Sequence, residues 1–434
     1  MSSPDIAGYS GMVDVMVIGA GMAGCAAAIA AKRQGASVLL VEKHNYPGGN
    51  ATRAMVAPWQ SYHACVANAD GSLPRQVIGG IAQEFVDDLV ALGASTGHLV
   101  DPIGFAGSIT PVDADRLKLY LVDKLEREGV KLALGVELNA YASHRSASQF
   151  FLETAKQVVD ASGNASATRV LEAAHIIPVD PQPMTWMFTM TGVDYAAVRE
   201  YQLEHPQQFV LHPAFERLPA EHIAVSGFFN LVREATARGE WTLPRDRLLF
   251  FSTPNPGEVL VNTTRIPSDH YYPHAEGLRQ INELLRFLPE HVPGFANAHL
   301  GRIADELGQR ESFRLEGQCR LTVREITEGR SFPDAIARGC YPVDIHGAAG
   351  SLIESDEVGG QGWYDIPLGS IVSRDNPCLL AAGRCISADR EGFASARVLP
   401  IAMATGEAAG MIAAWRALGE KVDTSACLSH VSLV

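Results

Sequence analysis

Residues 13–42 read VDVMVIGAGMAGCAAAIAAKRQGASVLLVE, and the fold is decided here. Val13 to Ile18 is a short apolar run that predicts a strand. Gly19-Ala20-Gly21-Met22-Ala23-Gly24 follows without a break. The Ala-rich run from Cys25 to Lys32 has strong helix propensity. Ala36 to Val41 predicts a second strand, and Glu42 ends it. Strand, G-x-G-x-x-G turn, helix, strand and terminal acid in this register form a dinucleotide-binding fingerprint. In that pattern Gly19 permits the tight turn, Gly21 lets the backbone approach a pyrophosphate, and Gly24 lets helix and strand pack closely. Met22 and Ala23 lie at the helix start, where free N–H groups and a partial positive charge suit phosphate. Glu42 is placed to accept hydrogen bonds from ribose hydroxyls. The bland alternative is a tight turn in an α/β sheet with no ligand.

The fingerprint serves FAD and NAD alike. The next residues, Glu42-Lys43-His44-Asn45-Tyr46-Pro47-Gly48-Gly49-Asn50-Ala51-Thr52, resemble a segment of the glutathione-reductase-like FAD superfamily. There an acid is followed by a Gly-Gly pair that runs under the pyrophosphate and flavin. The resemblance implies that Lys43, Gly49, Asn50, Ala51 and Thr52 lie along FAD. The far end of the chain agrees. Cys378-Leu379-Leu380-Ala381-Ala382-Gly383-Arg384 reads as an apolar strand ending in Gly, and Ser395-Ala396-Arg397-Val398-Leu399-Pro400 leads into a helix from about Ile401 to Leu418. These resemble the superfamily's C-terminal FAD motif. By that resemblance Gly383 and Arg384 lie near the ribityl phosphate, and the helix start at Ile401 points at the flavin pyrimidine. Pro400 suits a first helical turn. Gly406 and Gly410 share one helical face, which lets another backbone come close. Lys156 to Asn164 resembles the family's strand and turn beside FAD, which implies contacts at Ser162 and Gly163. Ser162 stands there for the family's Thr, and Asn164 for a common Asp.

More narrowly, the chain resembles the FAD-dependent oxidoreductase family, related to the fumarate-reductase and flavin-hydroxylase folds. The resemblance covers most of the length. Its middle segments are Pro256-Gly257-Glu258-Val259 through Arg265, Gly308 to Arg314, and Tyr341 to His346. It implies FAD as the cofactor. It also implies an α/β fold, in which a Rossmann-like FAD/NAD(P)-binding domain carries a second, α+β substrate domain with an antiparallel sheet. A backbone contact to adenine is implied near Val136, after a strand over Val130 to Leu134. Some relatives link flavin to a histidine downstream of the Gly-Gly turn, a place His63 occupies here, but noncovalent FAD is the expectation.

At 434 residues the chain is long enough for two domains and a large core. A net charge of −14 argues against nonspecific nucleic-acid binding, which needs clustered cations. No apolar run reaches membrane-spanning length, and Met1 to Gly11 has no signal-peptide core, so no membrane partner is expected. The seven cysteines include no C-x-x-C pair. This argues against a disulfide reductase, a zinc site or an Fe–S cluster, and fits a reducing cytoplasm.

The domains are expected at 1–174 (first part of the FAD domain), 175–340 (substrate domain) and 341–434 (C-terminal part of the FAD domain). Gln76 to Gly93 reads as an amphipathic helix. Asp113 is placed to cap a second helix that Gly129 ends. His222 to Arg238 and Glu276 to Phe287 also read as helices. Met184 to Met190 and Glu258 to Arg265 read as strands. The strongest alternation is Ser312 to Arg324, with Phe313, Leu315, Cys319, Leu321 and Val323 on one face and Arg314, Glu316, Gln318, Arg320 and Arg324 on the other. There is no second G-x-G-x-x-G after a strand, so no dedicated nicotinamide domain is expected.

Flavin carries the electron transfer, and the protein positions the substrate. Arg310 and Arg314 are candidates to bind an anionic or polar substrate, or else form a solvent-facing salt-bridge row with Glu311 and Glu316. His346 follows Asp344 at strand spacing, which suits a proton acceptor oriented by a carboxylate, or a structural hydrogen bond. Arg397 faces the flavin or its phosphates, or forms an interdomain ion pair. Tyr341 and Tyr364 are lesser candidates. The leading expectation is a dehydrogenase that passes hydride from a small polar metabolite to flavin N5, with an electron acceptor or donor still to be identified. The alternatives are a C=C reductase or monooxygenase, and an FAD-binding scaffold or regulatory subunit without turnover. Oligomeric state is not legible.

Overall fold

The computed structural model describes residues 11–138, 147–346, 352–354 and 357–434. The N-terminal segment read for a signal peptide lies outside these, apart from Gly11. The fingerprint stretch folds as β1 (Val13–Ile18), α1 (Met22–Arg33) and β2 (Val38–Glu42). The helix starts at Met22 because extended Gly21 serves as its N-cap. The expected 76–93 helix is shorter, as α2 (Gly80–Ala91). Gly79-Gly80 interrupts it: Gly80 adopts φ +58°, and Gln76 and Ile78 bridge to His63 and Ser432 instead. Asp113 caps α3 (Ala114–Arg127) by accepting from the N–H groups of Asp115 and Arg116. β3 (Lys131–Leu134) and β4 (Ala155–Asp160) follow.

The middle of the chain builds a second sheet. Its strands are β5 (Phe188–Thr191), β6 (Ala224–Gly227), β7 (Leu248–Ser252), β8 (Glu258–Val261) and β9 (His299–Ile303). Helices α4 (Phe229–Arg238) and α5 (Pro273–His291) bury apolar faces in the same core. Further along come α6 (Val323–Thr327), β10 (Ala335–Gly339), β11 (Tyr364–Pro367) and β12 (Leu379–Ala381). The long α7 (Leu399–Leu418) and the short α8 (Thr424–Val431) close the chain. The first sheet is parallel throughout, in the order β12-β4-β1-β2-β3. The second is antiparallel, in the order β9-β5-β8-β7-β6. Residues from both ends of the chain thus share the parallel sheet, while 188–303 supplies the antiparallel one. β10 and β11 pair with each other across residue 340.

Small residues set the central packing. α1 is buried from Met22 through Ala31. Gly406 and Gly410 of α7 lie on the carbonyls of Ala23 and Ala27, where a Cβ would overlap the oxygen. Only glycine permits two helices this close. Among the described residues no single helix is long and apolar enough to cross a membrane.

Four further expected elements differ, the simplest being the 184–190 strand, which begins only at Phe188. Ser312 to Arg324 is not one strand. Only Arg314–Leu315 forms a strand, paired with His175–Ile176, while Gly317 and Leu321 make single bridges to Ser373 and Ala388. Gly317 then passes so near the backbone of Gly369 that a Cβ would lie 2.6 Å from its oxygen. Thr322 and Glu325 form a capping box that starts α6. The T-x-x-E signal for a helix start competed with the alternation and won. The expected 222–238 helix is strand β6 followed by α4, because Ala224 and Val225 pair with Phe251 and Phe250 inside the second sheet. The expected 258–265 strand stops at Val261, where Thr263 and Thr264 turn their hydroxyls onto neighbouring backbone.

Candidate functional site

A cavity of about 450 Å³ lies between the two sheets. On one side it meets Gly19, Glu42, Ala161 and Gly383, at or just beyond the C-terminal ends of β1, β2, β4 and β12. Ligands in open α/β folds bind at this edge. Two helix N-termini converge on it. Met22 and Ala23 open α1 under the Gly21 cap, and Val398, Leu399 and Ala402 represent α7. Neither helix has a side-chain cap or an acid in its first turn. Their N–H groups and partial positive charge remain available to an anion.

At two glycines of this wall the backbone tolerates no side chain. Gly19 has φ +95°, and its Cβ would lie 2.6 Å from the Ala161 oxygen. A Cβ on Gly49 would lie 2.9 Å from Gly21 Cα. Gly24 does not line the cavity; it presses on the Gly19 carbonyl. Glu42 accepts the Ala20 N–H at 2.7 Å and the His44 N–H at 3.0 Å, which fixes its carboxylate at the rim. Lys43, Gly49, Asn50, Ser162, Gly163, Gly383 and Arg384 also line the wall. Asn50 and Arg384 both donate to the Gln309 carbonyl. Ser162 donates to Asp160 at 2.6 Å, as the family's Thr hydroxyl could, and Asn164 Oδ1 is buried with no hydrogen-bond partner. Ala51, Thr52 and Ile401 sit behind the wall: Thr52 binds the Pro47 carbonyl, and Ile401 is core. Val136 lines an adjoining cavity of about 540 Å³ that shares Gly19, Glu42, Lys43 and Asn164 with the first.

The other side of the main cavity is charged. Arg245, Arg265, Arg310 and Arg397 line it with Tyr341, Asp344 and His346. Asp344 binds His346 Nε2, Arg397 Nη2 and the Tyr341 hydroxyl, each at 3.1 Å. Its carboxyl is held well below the usual range, against burial, by His346, Arg397 and Arg310. Burial pushes His346 down to about 3, opposed by Asp344 and reinforced by Arg265 and Arg310. The imidazole is therefore neutral, and Asp344 accepts its Nε2–H. Burial pushes Arg310 down to about 9 and Arg245 to about 10, with neighbouring cations adding to both effects. Arg310 donates to the Pro183 carbonyl at 2.5 Å.

Arg314, named with Arg310 as a substrate-binding candidate, does not reach this wall. It is 3 % exposed, pairs with Glu311 at 2.6 Å and lies over the Phe393 ring. It lies in the short paired segment with His175–Ile176, but its side chain turns onto Glu311 and Phe393 and away from the cavity. His63 also lies away from the wall, bound to Ser108 Oγ at 3.0 Å. Tyr364 is buried on Ser395, away from the cavity. Arg245 escaped the sequence reading, and Arg265 entered it only as the end of the expected 258–265 strand; each sits in an irregular segment beside a strand of the second sheet. Asp101 escaped it too. Its buried carboxylate accepts the N–H groups of Ile103, Phe105 and Ala106, and so shapes the loop that brings Ile103 and Phe105 to the cavity.

Residues 14–427 match the family described as FAD dependent oxidoreductase. The chain belongs to that family. Within this FAD-dependent oxidoreductase, a 98-residue stretch, 21% of the chain, is 40% identical to L-aspartate oxidase of Halobacterium salinarum. The match covers 18% of that oxidase, so the chain spans less than a fifth of this curated relative. Among solved structures, a flavin-dependent brominase is 14% identical with a TM-score of 0.44, over 94% of this chain and 80% of that one. A flavoprotein/dehydrogenase from Cytophaga hutchinsonii is 14% identical with a TM-score of 0.41, over 96% and 81%. A myxobacterial chondrochloren halogenase is 12% identical with a TM-score of 0.43, over 96% and 77%. The cofactor is FAD, and the residues present fit it. Side-chain-free glycines and the α1 start suit the pyrophosphate, Glu42 suits a ribose, and the uncapped α7 start suits an electron-accepting ring.

Proposed function

We propose that this FAD-dependent oxidoreductase is a dehydrogenase of a small polar metabolite. The observation that carries the reading is one cavity joining the dinucleotide cradle to the arginine cluster and His346. FAD, when bound, supplies a two-electron acceptor. Arg310 and Arg397 orient a polar or anionic group of the substrate. Asp344 holds the Nε2–H of His346 and leaves Nδ1 as the acceptor for a substrate proton. A bound anion cancels part of the arginine field that, with burial, keeps the ring neutral, so the imidazole gains proton affinity when the substrate arrives. Dehydrogenation then breaks a C–H bond and an O–H or N–H bond. His346 takes the proton as a C=O or C=N bond forms, and FAD held by the glycine cradle and the α1 and α7 starts would accept the hydride. An external electron acceptor completes turnover. A reducing cytoplasm belongs to this reading on the cysteine pattern; nucleic acid and membrane partners do not.

The test is anaerobic. The yellow protein is mixed with NADH, then NADPH, then a panel of hydroxy and amino metabolites, while the visible flavin band is followed. Bleaching by a panel member but by neither nicotinamide supports a dehydrogenase. Bleaching by a nicotinamide alone overturns it in favour of a reductase or oxygenase. With a substrate in hand, His346→Gln should slow bleaching roughly 10²–10⁴-fold.

A further inference from the structure

The arginine cluster is short of anions. Among the described residues no carboxylate lies within ion-pair distance of Arg245, Arg265 or Arg310, and Arg397 shares Asp344 with His346. Arg245 is 7% exposed and Arg265 is 1% exposed. Both leave Nε and Nη1 buried without a hydrogen-bond partner. Taking unpaired cations out of water is costly unless another group neutralises them. Arg265 feels Arg245, Arg310 and Arg397 as repulsive neighbours and only Asp344 as an attractive one. On the reading above, the cofactor's phosphates lie against Gly19, Gly21 and Met22 at the α1 end of the cavity and do not fill this need. The remaining wall of the same cavity is different in kind. Ile103, Phe105, Val210, Leu249 and Phe251 line it, and several of them form one small apolar cluster. Arg247, beside them, is already paired with Asp246 at 2.8 Å.

We propose that this compartment takes a hydroxy or amino monocarboxylate, the carboxylate head held at Arg245 and Arg265, the hydroxyl or amino group turned toward Arg310, Arg397 and His346, and an apolar body of several carbons lying on the Ile103–Phe251 wall. This rests on the reading of the cavity as the substrate site and narrows the substrate class. Among the described residues, a second carboxylate at the far end of the ligand would meet mainly apolar side chains, with Ser226 and Asn262 beside them, and no unpaired cation.

The probes are unreactive. FAD-loaded protein is titrated at constant ionic strength with butanoate, hexanoate, hexanamide, butanedioate and inorganic phosphate, with the visible flavin band as readout. Hexanoate should bind saturably, each added methylene from butanoate tightening it by about fourfold. Hexanamide, butanedioate and phosphate should bind at least about tenfold more weakly than hexanoate. Arg245→Met and Arg265→Met keep the stem and remove the charge; each should weaken hexanoate about tenfold or more, leave hexanamide unchanged and retain FAD. Arg265→Lys guards against a misfolded Met variant and should restore part of the affinity. Equal binding of acid and amide, no dependence on chain length, an equal response to phosphate, or loss of FAD from the variants would overturn the proposal. The two readings fail separately. Hexanoate binding without any substrate-driven bleaching removes the dehydrogenase and leaves the ligand class. Bleaching by a metabolite lacking an anionic group, with no carboxylate binding, does the reverse.

Discussion

Glu407→Gln should remove a pH dependence that the wild type carries in its folding stability. Glu407 lies in the middle of α7 and is fully buried. Its Oε2 accepts the Ile81 N–H at 2.7 Å, at the start of α2. Its Oε1 stands 3.2 Å from His430 Nε2 on α8, without the alignment of a hydrogen bond. Burial is the largest influence and pushes the carboxyl from 4.5 up to about 8. The Ile81 N–H and Arg33 pull the other way, and Glu84 adds to the rise. The folded protein therefore holds a proton that the unfolded chain releases. The stabilisation is fully present below pH 4.5 and is lost as pH rises through about 8. At 1.36 kcal/mol per tenfold change in proton affinity, the full rise sets an upper bound of about 5 kcal/mol. Water reaching the carboxylate from the exposed His430 side lowers this, so the expected effect is about 2–5 kcal/mol. Gln keeps an acceptor for Ile81 and carries no charge at any pH. Urea unfolding of both FAD-loaded proteins from about pH 5 to about pH 9 makes the comparison, because contributions common to both cancel. The variant should gain on the wild type up to about pH 8 and level off above it. Parallel profiles, within about 0.5 kcal/mol, would refute the reasoning.

Other outcomes follow from the same geometry. Gly406→Ala puts a methyl group on the Ala23 carbonyl and should push α7 off α1, at a cost of about 1–3 kcal/mol, with loss of FAD on gel filtration. Asp101→Ala strands three buried backbone N–H groups and should lower stability by about 2–4 kcal/mol in urea unfolding, with Asp101→Asn recovering part. Glu42→Gln replaces charge-assisted bonds to Ala20 and His44 and should weaken FAD about tenfold or more in a fluorescence titration. Arg314→Met should leave hexanoate affinity unchanged while lowering stability, because its buried partner Glu311 is left unpaired.

Local chemistry made the cofactor half legible. The strand, glycine turn and helix of residues 13–42 are contiguous, and their physical demands are met within thirty residues. The C-terminal strand and helix were readable for the same reason, with Gly406 and Gly410 marking the close helix contact. The substrate half was much less so. Alternation over 312–324 predicted a strand, but a capping box and a tight backbone passage at Gly317 broke it. Arg314 kept its place in the part that pairs, but its side chain is buried against Glu311 instead of facing a substrate. Residues 222–228 read as helix until pairing with β7 decided otherwise.

By itself, then, the sequence determined the dinucleotide-binding fold, because a phosphate-binding turn is built from neighbours in the chain; that Gly19 and Gly49 face the cavity while Ala51, Thr52 and Ile401 stand behind its wall was decided by packing. Only the tertiary structure decided which charges meet. Arg245, Arg265, Arg310, Asp344 and Arg397 come from separate segments with no periodic relation to one another. Their value lies in a shared, water-poor wall, and burial of that kind exists only once two sheets have packed.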